Sequence, residues 1–210
     1  MHEPVLSSRR ETAGSITSDE AASIAPGGMG PERYVQCLSP EMQALAAMVS
    51  RVAVTSAPVL ICGETGVGKS MLARQVHEYS PRGDAPLVVL HAVTATADAV
   101  NCLSTLGGHT VLLEEIGELA PAVQDSLVCL LNSASTDAGF RLLATTSQDI
   151  DALATRKILR SDLRYRIDVV RLEIPPLRQR PADVVFLAGH FLAFTSSVPS
   201  SPSVWTPATH

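Results

Sequence analysis

Aromatic residues are scarce in this chain: one Trp, three Tyr and four Phe among 210 residues. A surface that stacks single-stranded bases on aromatic rings is therefore not expected. Positive charge does not dominate either. Sixteen Lys and Arg against 21 Asp and Glu leave a formal net charge of -5, the opposite of a general nucleic-acid coat. The four cysteines, Cys37, Cys62, Cys102 and Cys129, form no CxxC or Cys/His ligand pair. They are too thinly spread for a disulfide scaffold, and reduced thiols of a cytosolic protein are the expectation. The N-terminus lacks the apolar stretch of a secretory signal. The longest apolar run, residues 184–194, contains His190 and is about half of the roughly 20 residues a membrane span needs. Together these absences predict a cytoplasmic protein with no membrane contact.

What is present is material for a core, with 46% hydrophobic and 18% charged residues. The composition divides the chain into four stretches. Residues 1–33 are polar and rich in Ser, Ala, Gly and Glu, which predicts a flexible arm. Residues 34–176 carry the folded domain. Ser39, Pro40 and Glu41 read as a helix start, with Ser39 as N-cap. Short apolar strands at 59–62, 87–91, 110–113, 141–146 and 169–174 then alternate with helical segments at 69–79, 96–106, 121–132 and 150–167. Continuous Val, Leu and Ile runs separated by helices predict a five-stranded parallel sheet covered on both faces, an α/β fold. Pro175-Pro176 ends this domain, and one further helix over 182–194 is expected within a short stretch, 177–194. Residues 195–210 hold eight Ser or Thr, three Pro and no charged side chain, which predicts a disordered tail.

Gly63-Glu64-Thr65-Gly66-Val67-Gly68-Lys69-Ser70 matches G-x-x-x-x-G-K-[ST] in full, directly after a strand and opening a helix. In that context the glycines turn backbone N–H groups around phosphate oxygens, and the helix N-terminus adds partial positive charge. Lys69 would reach the β- and γ-phosphates, and the Ser70 hydroxyl would ligate magnesium. The bland alternative is a glycine turn with an exposed lysine. The strand at 110–113 ends in Glu114-Glu115. Two acids at a strand end about 45 residues after such a loop suit the second half of a triphosphatase site, where one holds Mg2+ through water and the other polarises the attacking water. The alternative is a strand turning into solvent.

With these residues in place the sequence resembles the AAA+ ATPase domain of sigma-54-dependent transcriptional activators, the NtrC-like enhancer-binding proteins. The likeness runs from about residue 38 to 192. It is carried by APVLICGETGVGKSMLARQVHEYSPR (57–82), GGHTVLLEEIGEL (107–119), FRLLATTSQDIDAL (140–153) and, most specifically, LRSDLRYRIDVVRLEIPPLRQRPADV (159–184). The resemblance implies a ring-forming ATPase with ATP and Mg2+ between neighbouring subunits. Gly63–Ser70 falls on the Walker A loop, Glu114 on the Walker B aspartate, Glu115 on the catalytic glutamate and Ser147 on the polar sensor. Arg160 and Arg166 fall on the arginines offered to a neighbour's γ-phosphate. Residues 156–180 hold eight of the 16 basic residues and three acids. That local excess reads as such an intersubunit face, as a solvated basic face, or as a nucleic-acid patch.

The chain departs from the family in informative places. Only residues 92–106 separate His91 from Gly107, and no GAFTGA motif exists. The family's long segment that engages sigma-54 at this point is missing. The loop at 133–139 is also short. His91 aligns with the Asn that restrains the catalytic glutamate, and its plain reading is a core histidine with one hydrogen bond. Glu114 is one methylene longer than the usual Asp, which predicts weakened magnesium geometry. Within these 210 residues the family's lid pattern is matched for one helix only, and the expectation is a lid cut short, as by a frameshift, without a helix-turn-helix. The expected function is an ATP-binding regulator that assembles with copies of itself or with a related full-length activator. Direct contact with sigma-54 or DNA is not expected. The alternatives are a stand-alone Mg-dependent ATPase of reduced activity acting on another partner, and a non-functional remnant.

Overall fold

Five short apolar runs lie side by side, all parallel, in the computed structural model, which describes residues 39–133 and 139–197. They are β1 (Val59–Cys62), β2 (Leu87–His91), β3 (Thr110–Glu114), β4 (Arg141–Thr146) and β5 (Val170–Glu173), in the spatial order β2-β3-β4-β1-β5. Their side chains alternate between two cores, which is why the strands read as continuous apolar runs. Leu60, Val111, Leu113, Leu142 and Ala144 face one core. It is closed by α3 (Ala97–Cys102), α4 (Pro121–Ser133), α5 (Ile150–Thr155) and α6 (Ser161–Ile167), through Val100, Val123, Leu127, Ile150, Leu163 and Ile167. Val59, Ile61, Leu112, Leu143 and Leu172 face the other. There α1 (Pro40–Ala53) and α2 (Lys69–Glu78) contribute Met42, Leu45, Val49, Leu72 and Val76. The strand order puts β1 between β4 and β5, so the loops leaving β1, β3 and β4 meet at one edge of the sheet. That carboxyl edge is where open α/β sheets bind ligands.

Four expectations need correction. The weak helix expected over 96–106 is a six-residue helix, α3, followed by a 3-10 turn, Leu103–Thr105. Thr96 caps it by accepting a hydrogen bond from the Ala99 N–H, and its two apolar anchors are Val100 and Leu103. The last strand begins at Val170 rather than 169 and ends at Glu173. Ser39 does stand at the N-cap position of α1, but its side chain makes no cap bond. Its N–H and hydroxyl both donate to Asp183, 144 residues further on. Finally, α7 (Pro181–Ser197) continues past residue 194, so the compositional change at Thr195 is not the helix end. The arm at 1–33, Cys37, the loop at 134–138 and the tail beyond 197 lie outside the described residues.

Arg141 opens β4 and is 1% exposed. Its guanidinium donates to the carbonyls of Ala53 at 2.7 Å, Val52 at 2.9 Å and Ala57 at 3.4 Å. These include last-turn carbonyls of α1, which have no partner within the helix. The cation also sits at the negative end of the helix dipole. Burial pulls its pKa down to about 10, so it remains charged at neutral pH. Arg141→Ala would strip these carbonyls of a buried cationic donor, although Val52 keeps another, from Thr55, and a loss on the order of 3 kcal/mol is expected. Urea unfolding measures this; a loss under about 0.5 kcal/mol, the size of a neutral surface change, would show that Arg141 is dispensable.

Candidate functional site

The glycine loop leaves β1 with its first N–H bonded to the Thr146 carbonyl at the end of β4, at 3.2 Å. Gly63 has φ 154°, and a Cβ there would lie 2.9 Å from the Ile174 carbonyl oxygen. Gly68, at φ 103°, is the left-handed residue before α2. Side chains rarely adopt such angles, so glycine is required at these turns. Lys69 is the first residue of α2 and 7% exposed. Its Nζ donates to the carbonyls of Gly63 at 3.0 Å and Glu64 at 3.2 Å, and lies 3.0 Å from Glu115 Oε1. The ammonium thus spans the loop from inside.

Glu115 follows β3 in a left-handed conformation, φ 54° and ψ 56°. For a non-glycine residue this costs about 1–2 kcal/mol, and such strain persists where surroundings over-determine it. Here the Glu115 N–H is held by Thr145 Oγ1 at 3.1 Å, and Oε2 accepts from both the N–H and the hydroxyl of Ser147, each at 2.8 Å. Burial raises the pKa of this carboxyl, but hydrogen bonds from Ser147 and Lys69 and the lysine charge outweigh it and hold it below the ordinary value. Glu115 is an ionised carboxylate at neutral pH.

Three residues from three separate elements, Lys69, Glu115 and Ser147, therefore converge. Ser70 is the next residue of α2 and half-buried. Glu114 ends β3, where its Oε2 lies 2.8 Å from Nδ1 of His91, its register partner on β2. This corrects the reading of His91. It is 65% exposed, so it is no core histidine, and it meets Glu114 rather than Glu115. Hydroxyl and carboxylate oxygens at Ser70 and Glu114 are the hard donors that magnesium prefers, and magnesium takes few protein ligands. No group of three His, Cys, Asp or Glu that could hold a metal ion occurs among the described residues.

Arg160 and Arg166 stand apart from this group. Arg160 pairs with Asp162 and Asp125, and Arg166 donates to the Leu131 carbonyl at 3.3 Å. Much of the positive charge at 156–180 is paired, by Asp162 and Asp168 of the segment itself and by Asp125, Asp151 and Glu64 from elsewhere. Asp151 pairs with Arg164 and Arg171, Asp168 with Arg171, and Glu64 with Arg178. The segment is an ion-pair network, not a bare positive face. Thr65 is exposed at the loop tip, and Val67 accepts from Arg180 through its carbonyl at 3.1 Å. Sequence reasoning did not single out Arg178, Arg180 or Thr145; the first two lie in the PPLRQR signature, which was the available signal.

A family profile described as the sigma-54 interaction domain matches residues 37–177. The chain belongs to that family. Curated relatives of this sigma-54 interaction domain include the DNA-binding transcriptional activator HyfR of Escherichia coli K12, 35% identical over 184 residues, covering 73% of this chain and 27% of HyfR. Another is the transcriptional regulatory protein ZraR of Escherichia coli O157:H7, 35% identical over 185 residues, covering 73% of this chain and 42% of ZraR. The chain thus spans less than half the length of these relatives. An alignment of 184 positions covering 73% of 210 residues, about 153, leaves about 31 positions where HyfR has residues that this chain lacks. Structures show the same fold. NtrX from Brucella abortus superposes with a TM-score of 0.66 at 24% identity, over 74% of this chain and 41% of NtrX. NtrX has been crystallised with ADP and with ATP. The P-loop NTPase domain of the sigma-54 transport activator from E. coli gives 0.52 at 21% identity, over 65% of this chain and 95% of that domain. The fold is that of a P-loop NTPase of the AAA+ type, related to transcription regulators. Among the described residues no helix is long and apolar enough to cross a membrane.

Proposed function

We propose that this chain binds ATP with Mg2+ and regulates transcription by assembling with copies of itself or with a related full-length activator, without itself contacting sigma-54 or DNA. The observation that carries the reading is the convergence of Lys69, Glu115 and Ser147 under the glycine loop. The loop N–H groups and Lys69 would take the phosphates, and Ser70 with Glu114 through water would hold the metal. Bound magnesium would neutralise charge on the phosphate oxygens. Glu115 is ionised and suited to draw a proton from water, with Ser147 orienting it. Lys69 now rests on Glu115. Incoming phosphates compete for the same ammonium, so the carboxylate is released when the lysine gains its new partner. Arg160 and Arg166 would complete a neighbour's site. The compact segment 92–106, which α3 fills, supports a role that does not reach sigma-54.

A second reading, an ATPase acting alone on another protein, is favoured by the ionised state of Glu115. One experiment separates the two. Titrate the protein with a fluorescent ATP analogue and Mg2+, with and without a related full-length activator, following phosphate release and assembly size. Binding with turnover or size changed only in the mixture supports the regulator. Steady hydrolysis by the chain alone, indifferent to the activator, supports the second reading. Absence of binding overturns both.

A further inference from the structure

The phosphate loop is gripped from outside by a segment more than a hundred residues away in sequence. Arg178 lies in the 3-10 turn Leu177–Gln179 and donates through both terminal nitrogens to both Glu64 carboxylate oxygens, at 2.6 and 2.7 Å. Arg180, 5% exposed, donates to the Val67 carbonyl at 3.1 Å. Glu64 and Val67 bracket Thr65-Gly66, the loop tip, where Gly66 at φ 83° has open space where a side chain would be. Asp183, in the first turn of α7 and 0% exposed, lies 4.0 Å from Arg180 and accepts both hydrogen bonds of Ser39. The Nε of Arg180 is buried without a hydrogen-bond partner, a cost that calls for an explanation.

We propose that residues 178–183 are a strap that sets the phosphate loop, with Arg180 and Arg178 as positioning residues and Asp183 tying the strap to the start of α1. This deepens, and for its binding arm rests on, the nucleotide reading above. Lys69 holds the base of the loop from inside, but the tip packs no side chain at Gly66, and the strap holds the residues on either side of that tip from outside. Fixing each backbone residue costs about 1–2 kcal/mol. Order imposed before the anion arrives removes that cost from binding. An exposed ion pair alone does little. Arg178 gains from its two-pronged geometry, and Arg180 from burial.

The test has two arms. Hydrogen exchange of the nucleotide-free protein reads the loop directly. In Arg180→Met and Arg178→Gln, amides 63–68 are expected to exchange at least about tenfold and threefold faster respectively, with those of β3 and β4 unchanged. Affinity for a fluorescent ADP analogue should fall by similar factors. Single charge reversals, Glu64→Arg or Arg178→Glu, should match Arg178→Gln. The double reversal should return exchange at 63–68 to within about twofold of the parent, as coupled partners do. Unchanged exchange at 63–68 in folded Arg180→Met and Arg178→Gln would overturn the strap, as would a double reversal no better than the singles. Should Arg180→Met fail to fold, the Glu64 and Arg178 series still decides. A parent protein that binds no ADP analogue sinks the nucleotide reading, while the exchange arm still judges the strap.

Discussion

Lys69→Ala is expected to weaken ATP binding on the order of 100-fold, the value of about two charge-assisted hydrogen bonds lost together. The fold should survive. The polar partners of Lys69 are two loop carbonyls and a carboxylate, none of which belongs to the hydrophobic cores. Glu115 keeps its two bonds from Ser147 in the variant, so the carboxylate stays ordered and its pKa rises only part of the way toward the ordinary value. Titration with a fluorescent ATP analogue at fixed Mg2+ gives the affinity, and thermal melting gives the control. Unaltered affinity in a folded Lys69→Ala protein would mean that phosphates do not lie against this loop.

The second large effect concerns Arg160. In mixed assemblies Arg160→Ala should cut ATP turnover by about three orders of magnitude, the scale on which an arginine supplied from a neighbour acts, while nucleotide binding by the variant itself is spared. The backbone at Arg160 is fixed. Its N–H donates to the side-chain oxygen of Gln124 at 3.0 Å, and the Gln124 amide bonds the Leu119 and Ile158 carbonyls. The side chain is another matter. It is 47% exposed and held by Asp125 and Asp162, themselves exposed. Both acids raise its pKa and secure its charge. Exposed pairs of this kind exchange partners at little cost, so the guanidinium can leave them for a phosphate on an adjoining subunit. Steady-state phosphate release in mixtures of variant and related activator measures the effect. Equal loss of binding by the variant alone would place Arg160 at its own chain's site.

The central strands could be read from sequence because β1, β3 and β4 are buried on both faces, which leaves no polar alternation to blur them. The glycine loop could be read because its spacing is dictated by backbone geometry around an anion. Family resemblance, not periodicity, pointed to Ser147, since nothing local marks a serine after a strand as the holder of a carboxylate. His91 was misread for a physical reason. The run Leu87–His91 looks like any core strand, yet β2 is at the sheet edge and half-exposed along most of its length, so its end opens to solvent. The bonds of Ser39 to Asp183 and of Arg178 to Glu64 join residues 144 and 114 positions apart. Side chains that find partners across such distances leave no periodic trace. The helix over 96–106 was weak in sequence because Val100 and Leu103 are its fully buried anchors, with Leu106 packed only in part.

The tie between Ser39 and Asp183 couples the two extremities of the described fold. Clipping the protein at its front, just beyond Ser39, would strip a fully buried carboxylate of two donors and unseat the root of the last helix. Cutting back from the rear through Asp183 would in turn orphan the opening of the first. Shortened versions made for crystallisation or expression should therefore keep both, because damage at one terminus is felt at the other.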